Sequence, residues 1–230
     1  MTTAAVFGCT GQSGSQILAT LLTSDAFSSV KTISRRLPNV QSSKLQALHE
    51  VDTSKWGGMI SSLSPRPSVV FNAVGTQRSK AGSLNNQWKI DHDLCIENAK
   101  AAKDAGVTTY VFISVDVPSS FLSMFVPFWK MKLGVENAIK ELEFEHAIIV
   151  RPGMLIGNEE PKAPFLEHYI FGQLNKLGQG IQDRLAQHEA VVGRAVVSAA
   201  RMAEEGKAPS KYWILKPLEI VKLGRDEWKE

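Results

Sequence analysis

Short apolar runs and longer amphipathic stretches take turns along this chain. Ala4 to Phe7 is an apolar run of the kind that forms a buried strand. Ile17, Leu18, Leu21 and Leu22 then fall at i, i+1, i+4 and i+5, which predicts a helix beginning near Ser13. The same alternation recurs. Strands are predicted at Val30 to Ser34, Leu45 to Val51, Val69 to Gly75 (ending in a glycine turn), Tyr110 to Ser114, His146 to Val150 and Tyr212 to Leu215. Helices are predicted at Trp56 to Leu63, Gln87 to Ala105, a stretch ending near Leu142, 165–177 and Val191 to Ala203. Residues 76–86 and 157–164 are polar and read as loops, Pro65 and Pro67 break the chain before the fourth strand, and the tail 216–230 is mixed. Strands alternating with helices predict an α/β fold with a doubly wound parallel sheet.

Composition narrows this picture. The chain has 230 residues, enough for one domain over 1–230, with 157–210 supplying a small C-terminal substrate-side lobe. Its net charge is only +3, too small to argue for nucleic acid, though it would not resist an anionic surface. Two cysteines make no disulfide framework, and five scattered histidines make no metal-ligand cluster. There is no signal peptide and no run of about eighteen apolar residues. The first strand starts close to Met1, which leaves no room for a removable leader and predicts a cytoplasmic protein. No helix face carries a marked seam, so monomer and homodimer both stay open.

The strongest chemical signal lies between the first strand and the first helix, at Gly8-Cys9-Thr10-Gly11-Gln12-Ser13-Gly14. Gly8 and Gly11 allow a tight turn and close approach to a pyrophosphate, and Gly14 lets the helix pack on the strand. Thr10, Gln12 and Ser13 complete the loop at the helix N-terminus, where free N–H groups and the dipole favour phosphate. This predicts a dinucleotide site in a Rossmann-type sheet; the alternative is a tight strand–helix turn with no ligand. Arg35 and Arg36 end the second strand, where an acidic residue would hold a ribose 2′-hydroxyl. Arginine there suits a 2′-phosphate, hence NADP(H), unless the pair is merely solvated. Asp52 is placed near the adenine, as an acceptor for its amino group. Ala73, Val74 and Gly75 are small enough at their strand end to leave space for cofactor.

The segment after the fifth strand is unusual. From Val115 to Trp129 the one charged residue is Asp116, while Phe121, Phe125, Phe128 and Trp129 crowd together. Lys130 and Lys132 follow, and the sixth strand ends in Arg151-Pro152-Gly153. Taken in order, Gly8-x-x-Gly11-x-x-Gly14, Arg35-Arg36, Asn72-Ala73-x-Gly75, Ser114, Lys132 and Arg151-Pro152-Gly153 resemble an atypical short-chain dehydrogenase/reductase of the NmrA-like kind. More narrowly, Trp88-Lys89-Ile90-Asp91-His92-Asp93, Arg151-Pro152-Gly153-Met154 and Met202-Ala203-Glu204-Glu205-Gly206-Lys207 are similar to fungal proteins of the mitochondrial periphery, relatives of the Tat-interacting oxidoreductases. The resemblance implies peripheral attachment at the mitochondrial outer membrane as a second placement beside the cytoplasm. It also implies NADP(H), with Pro152 and Gly153 beside the cofactor, and a serine, tyrosine and lysine catalytic set.

Carried over by position, the serine is Ser114 and the lysine is Lys132, while the tyrosine position, four residues before that lysine, holds Phe128. Phe128 has no proton to give, and general acid catalysis typically contributes about 10²–10⁴-fold. Three readings follow. A repurposed catalyst would use Phe121, Phe125, Trp129, Met154 and Phe165 as an apolar pocket for a hydrophobic small molecule. It would isomerise, rearrange or cyclise that molecule, with Ser114 or Lys132 polarising a carbonyl and Asp116 moving a proton. A reductase would need a substitute acid, for which Tyr169, His168 and Asp116 are candidates. A protein without chemistry would sense NADP(H) or hold a partner, and an exposed 121–129 stretch could touch a membrane interface.

Overall fold

The computed structural model describes residues 2–117, 125–157 and 179–229. Its first half lays down strand β1 (Thr2–Phe7), helix α1 (Gln12–Thr23), β2 (Phe27–Ser34), β3 (Leu45–His49), α2 (Trp56–Ser61) and β4 (Val69–Asn72). Then come α3 (Arg78–Ala81), α4 (Leu84–Trp88), α5 (Leu94–Asp104), β5 (Thr109–Ile113), α6 (Pro127–Glu141) and β6 (His146–Val150). The remainder is β7 (Met154–Ile156), α7 (Gln179–Leu185), β8 (Ala186–His188), α8 (Glu189–Glu204), β9 (Tyr212–Leu215) and α9 (Pro217–Val221).

Seven strands form one sheet in the order β3-β2-β1-β4-β5-β6-β9, and every described pairing is parallel. The chain reverses its direction of travel between β1 and β4. There Phe7 stands opposite Ile33 on one side and Asn72 on the other. Helices cover both faces, because each amphipathic stretch buries its apolar stripe on the sheet. On one face Ile17, Leu18 and Leu21 of α1 pack with Val192, Val196 and Ala199 of α8. On the other, Ile60 of α2, Cys95 and Ala99 of α5, and Val135 and Ile139 of α6 form the second core.

The predicted strands fall where their apolar runs lie, with the first two longer at their starts, the third ending at His49 and the fourth ending at Asn72 rather than Gly75. The stretch read as a loop at 76–86 instead carries α3 and the start of α4. Ser83 makes α4 possible by accepting from the Asn86 N–H at 3.1 Å. The helix predicted from Gln87 to Ala105 is interrupted by a π turn at Lys89–Asp93. β7 and β8 pair in parallel as a small second sheet, too short to leave a pattern in the sequence. In the mixed tail, α9 starts at Pro217, and Glu219 Oε2 accepts from the Lys216 N–H. The predicted helix at 165–177 lies outside the described residues.

Candidate functional site

The carboxyl ends of β1 and β4 separate at the reversal point, and the glycine loop fills the gap. Gly8 has φ +78°, and a Cβ there would stand 2.7 Å from the Ala73 carbonyl. A Cβ on Gly14 would stand 2.1 Å from Gly8 O, so α1 sits directly on the loop. The Gly11 N–H closes the turn on Gly8 O at 3.0 Å. Gly11 is also the N-cap of α1, which leaves no side chain to cap the first N–H groups. Gln12 and Ser13 form the first turn of that helix.

A cavity of about 500 Å³ opens beside this loop. Gly8, Thr10 and Gly11 line one wall, with Arg35 and Arg36 at the end of β2. Ala73, Val74 and Gly75 line another, and Val51, Thr53, Trp56, Ile90 and Leu94 close the apolar end. Asn72 shapes the Ala73–Gly75 turn. It accepts from the Val74 N–H at 3.1 Å and donates to the Tyr110 hydroxyl at 2.9 Å. An uncapped helix start, two exposed guanidinium groups and an apolar slot fit a phosphorylated dinucleotide. Asp52 does not line the slot. Its carboxylate accepts from the Ser54 N–H and hydroxyl at 3.1 and 2.7 Å, which holds it below the usual carboxylate range. Val51 and Thr53, on either side of it, take the place expected for Asp52.

Past Gly75, over β5 and β6, the character changes. Ser114 is buried, and its hydroxyl donates to Glu136 Oε1 at 2.5 Å. Glu136, itself 2% exposed, is gripped by Arg151 through Nε at 3.1 Å and Nη2 at 2.5 Å. The Glu136 hydrogen bonds push the Arg151 guanidinium above its ordinary range. Lys132 is also buried. Its Nζ donates to the Ile113 carbonyl at 3.3 Å and faces Asp91 Oδ1 at 3.8 Å. Asp91 accepts from the Thr76 N–H, at 3.0 Å for Oδ2. Burial raises the Asp91 carboxyl, against an opposing pull from Lys132 and Thr76. Phe128 lies one turn before Lys132 on α6, its ring centroid 6.0 Å from Nζ, and Phe112 lies beneath at 4.9 Å.

The other expected residues scatter. Asp116 is exposed, and its N–H donates to the Pro152 carbonyl at 2.8 Å. Gly153 packs on the small sheet: its N–H donates to Gln187 Oε1 at 2.8 Å, and a Cβ would meet Leu185 O at 2.4 Å. Phe125 is 63% exposed and Met154 45%, so neither is enclosed in a described pocket; Trp129 is half-buried. Phe121, Phe165, His168 and Tyr169 lie outside the described residues. Asp91 and Glu136 were not singled out from the sequence. Glu136 had a usable signal, since it stands one turn after Lys132 and so shares its face. Among the described residues no group of His, Cys, Asp or Glu is placed to hold a metal, and no helix is long and apolar enough to cross a membrane.

Known proteins resemble this chain at three levels. The profile of the NAD dependent epimerase/dehydratase family matches residues 4–194. "Protein fmp52-2, mitochondrial" of Neosartorya fischeri is 71% identical over 230 residues, covering all of this chain and 99% of the relative. "Protein fmp-52, mitochondrial" of Neurospora crassa is 51% identical over 236 residues, covering all of this chain and 98% of the relative. Among solved structures, MoeE5 in complex with UDP-glucose and NAD aligns with a TM-score of 0.63 at 18% identity, over 97% of this chain and 81% of that one. A UDP-galactose 4-epimerase aligns with a TM-score of 0.67 at 15% identity, over 93% and 76%. At such identities the structures share the fold.

Proposed function

The chain belongs to the NAD dependent epimerase/dehydratase family, and we propose that it binds NADP(H) and acts on a hydrophobic small molecule by isomerisation, rearrangement or cyclisation rather than by ordinary carbonyl reduction. Gly8, Gly11 and the α1 N-terminus would hold the pyrophosphate, and Arg35 and Arg36 the 2′-phosphate. When bound, the nicotinamide would supply hydride chemistry or serve as one wall of the site. The observation that carries the reading is the state of the Ser114, Phe128 and Lys132 set. Phe128 presents a ring to Lys132 at the position where a reductase of this kind would carry its proton donor. The Ser114 hydroxyl already gives its hydrogen to Glu136, so it offers lone pairs rather than a donor. What remains can orient a substrate in a dry site, which suits a reaction governed by conformer and modest polarisation.

A second reading draws support from the family, whose name describes NAD-dependent chemistry. In it the protein reduces a carbonyl, with the exposed Asp116 as substitute acid. As for location, the mitochondrial names of the relatives support a mitochondrial place; a peripheral seat at the outer membrane would use exposed Phe125 and Val126 as its apolar contact.

The test is a titration of purified protein with NADPH and NADH, read by energy transfer from the tryptophans and by melting temperature. NADPH should bind more tightly than NADH. Arg36→Glu should weaken NADPH about tenfold or more and leave NADH nearly unchanged. Turnover of a substrate with no loss of NADPH absorbance supports the rearrangement reading, and stoichiometric loss supports the reductase. Binding of neither dinucleotide overturns both.

A further inference from the structure

The sheet order divides the cleft in two. Arg35 and Arg36 directly follow β2, so the adenosine half of a bound dinucleotide would lie over β1, β2 and β3, and its nicotinamide half would lie across the reversal point over β4, β5 and β6. Lys132 and Asp91 stand under that second half. Lys132 Nζ bonds the last carbonyl of β5, and a Cβ built on Gly75 would be 3.6 Å from Nζ and 3.2 Å from Asp91 Oδ1. The glycine keeps this pair next to the floor of the cleft. Asp91 is 1% exposed and Lys132 5%, and the rings of Phe112 and Phe128 flank the ammonium. Little water screens the pair, so a single uncompensated charge would be felt strongly there.

As built, the charges cancel. Asp91 balances Lys132 and Glu136 balances Arg151. The neighbouring Cys95 thiol is pushed up to about 12 and is neutral. An oxidised nicotinamide ring carries a positive charge and a reduced ring carries none. We propose that Asp91 sets the site's discrimination between oxidised and reduced dinucleotide: by cancelling Lys132 it lets NADP⁺ bind about as well as NADPH. Asp91 is thus a positioning residue. It also holds the Thr76 N–H, fixing the turn that lines the cofactor cavity. The inference rests on the NADP(H) reading.

The experiment measures the ratio of the two dissociation constants, NADP⁺ over NADPH, for the full chain at neutral pH. The wild-type ratio should lie within about threefold of one. Asp91→Asn keeps an acceptor for Thr76 but removes the charge, and should raise the ratio roughly five- to tenfold. Lys132→Met in the same chain should return the ratio to near the wild-type value, although both affinities fall. Lys132→Met alone should leave the ratio near wild type, because a buried carboxyl without its partner takes up a proton. A ratio that Asp91→Asn leaves unmoved, or that the double variant fails to restore, overturns the proposal. So does a wild-type preference for NADPH above about tenfold, an outcome that needs no folded variant. Binding of neither dinucleotide by the wild type instead overturns the NADP(H) reading beneath it.

Discussion

The two halves of the cleft rest on different physics. Over β1 and β2 the site is backbone: a glycine loop, an uncapped helix start and two arginines exposed to solvent. Over β4, β5 and β6 it is buried side chains, each charge met by a partner on another turn or another element. Backbone geometry tolerates changes to exposed neighbours but not to the atoms that set its shape. Paired buried charges behave in the opposite way: the shape survives small volume changes, and the loss of one partner leaves the other stranded in a poor solvent. The same dinucleotide would thus meet one half that is a rigid mould and one half that is an electrostatic balance.

Breaking the balance should have the largest effect. Glu136→Ala removes the acceptor for both the Arg151 guanidinium and the Ser114 hydroxyl. Breaking a buried pair on one side typically costs about 3–5 kcal/mol. The Arg151 side chain retains 21% exposure, so the lower end applies, about 3 kcal/mol. Urea unfolding measures this. A loss below about 1 kcal/mol would mean the pair is solvated in practice and the contrast between the halves is false.

The mould breaks at Gly14. In Gly14→Ala the new Cβ meets Gly8 O, a backbone atom that cannot rotate away, so α1 must slide or the loop must open. Overpacking of this sort typically costs about 1–3 kcal/mol. NADPH affinity should fall along with melting temperature, since the displaced atoms are those that would face the pyrophosphate. Full stability with lost binding would sharpen the contrast, because the loop would then be a binding device with no structural share. Unchanged binding would dissolve it.

The mould was legible in the sequence and the balance was not, for a physical reason. A glycine loop announces itself because strand, turn and helix are adjacent in the chain, and its steric demands act within a few residues. Asp91 and Lys132 meet only after two helices dock. The π turn at Lys89–Asp93 also breaks the uniform helical register the pattern suggested there. Asp52 was placed at the adenine from topology alone. The nearby Ser54 gave a local signal for the outcome, since an aspartate two residues before a serine is a common turn cap. The aromatic run after Ser114 showed its composition but not its direction. Phe125 points largely to solvent, whereas Phe128 turns toward Lys132.

The smallest change asks whether the second half differs from a reductase by one atom or by a network. Phe128→Tyr adds a hydroxyl to a half-buried ring, so stability should move by less than about 0.5 kcal/mol. If the missing acid were the whole difference, restoring it should raise NADPH-consuming reduction of a medium-chain aliphatic ketone by about 10²-fold or more. The geometry argues for less. A tyrosine acid works with a serine that donates to the substrate oxygen and a lysine whose charge lowers the phenol's pKa. Here the serine's hydrogen points to Glu136 and the lysine's charge is met by Asp91. The expected gain is therefore below about tenfold, measured as ketone-dependent loss of NADPH absorbance. A 10²-fold gain would show that Glu136 and Asp91 yield their partners once a substrate arrives. The balance would then be a resting state, and the reductase reading would replace the rearrangement one.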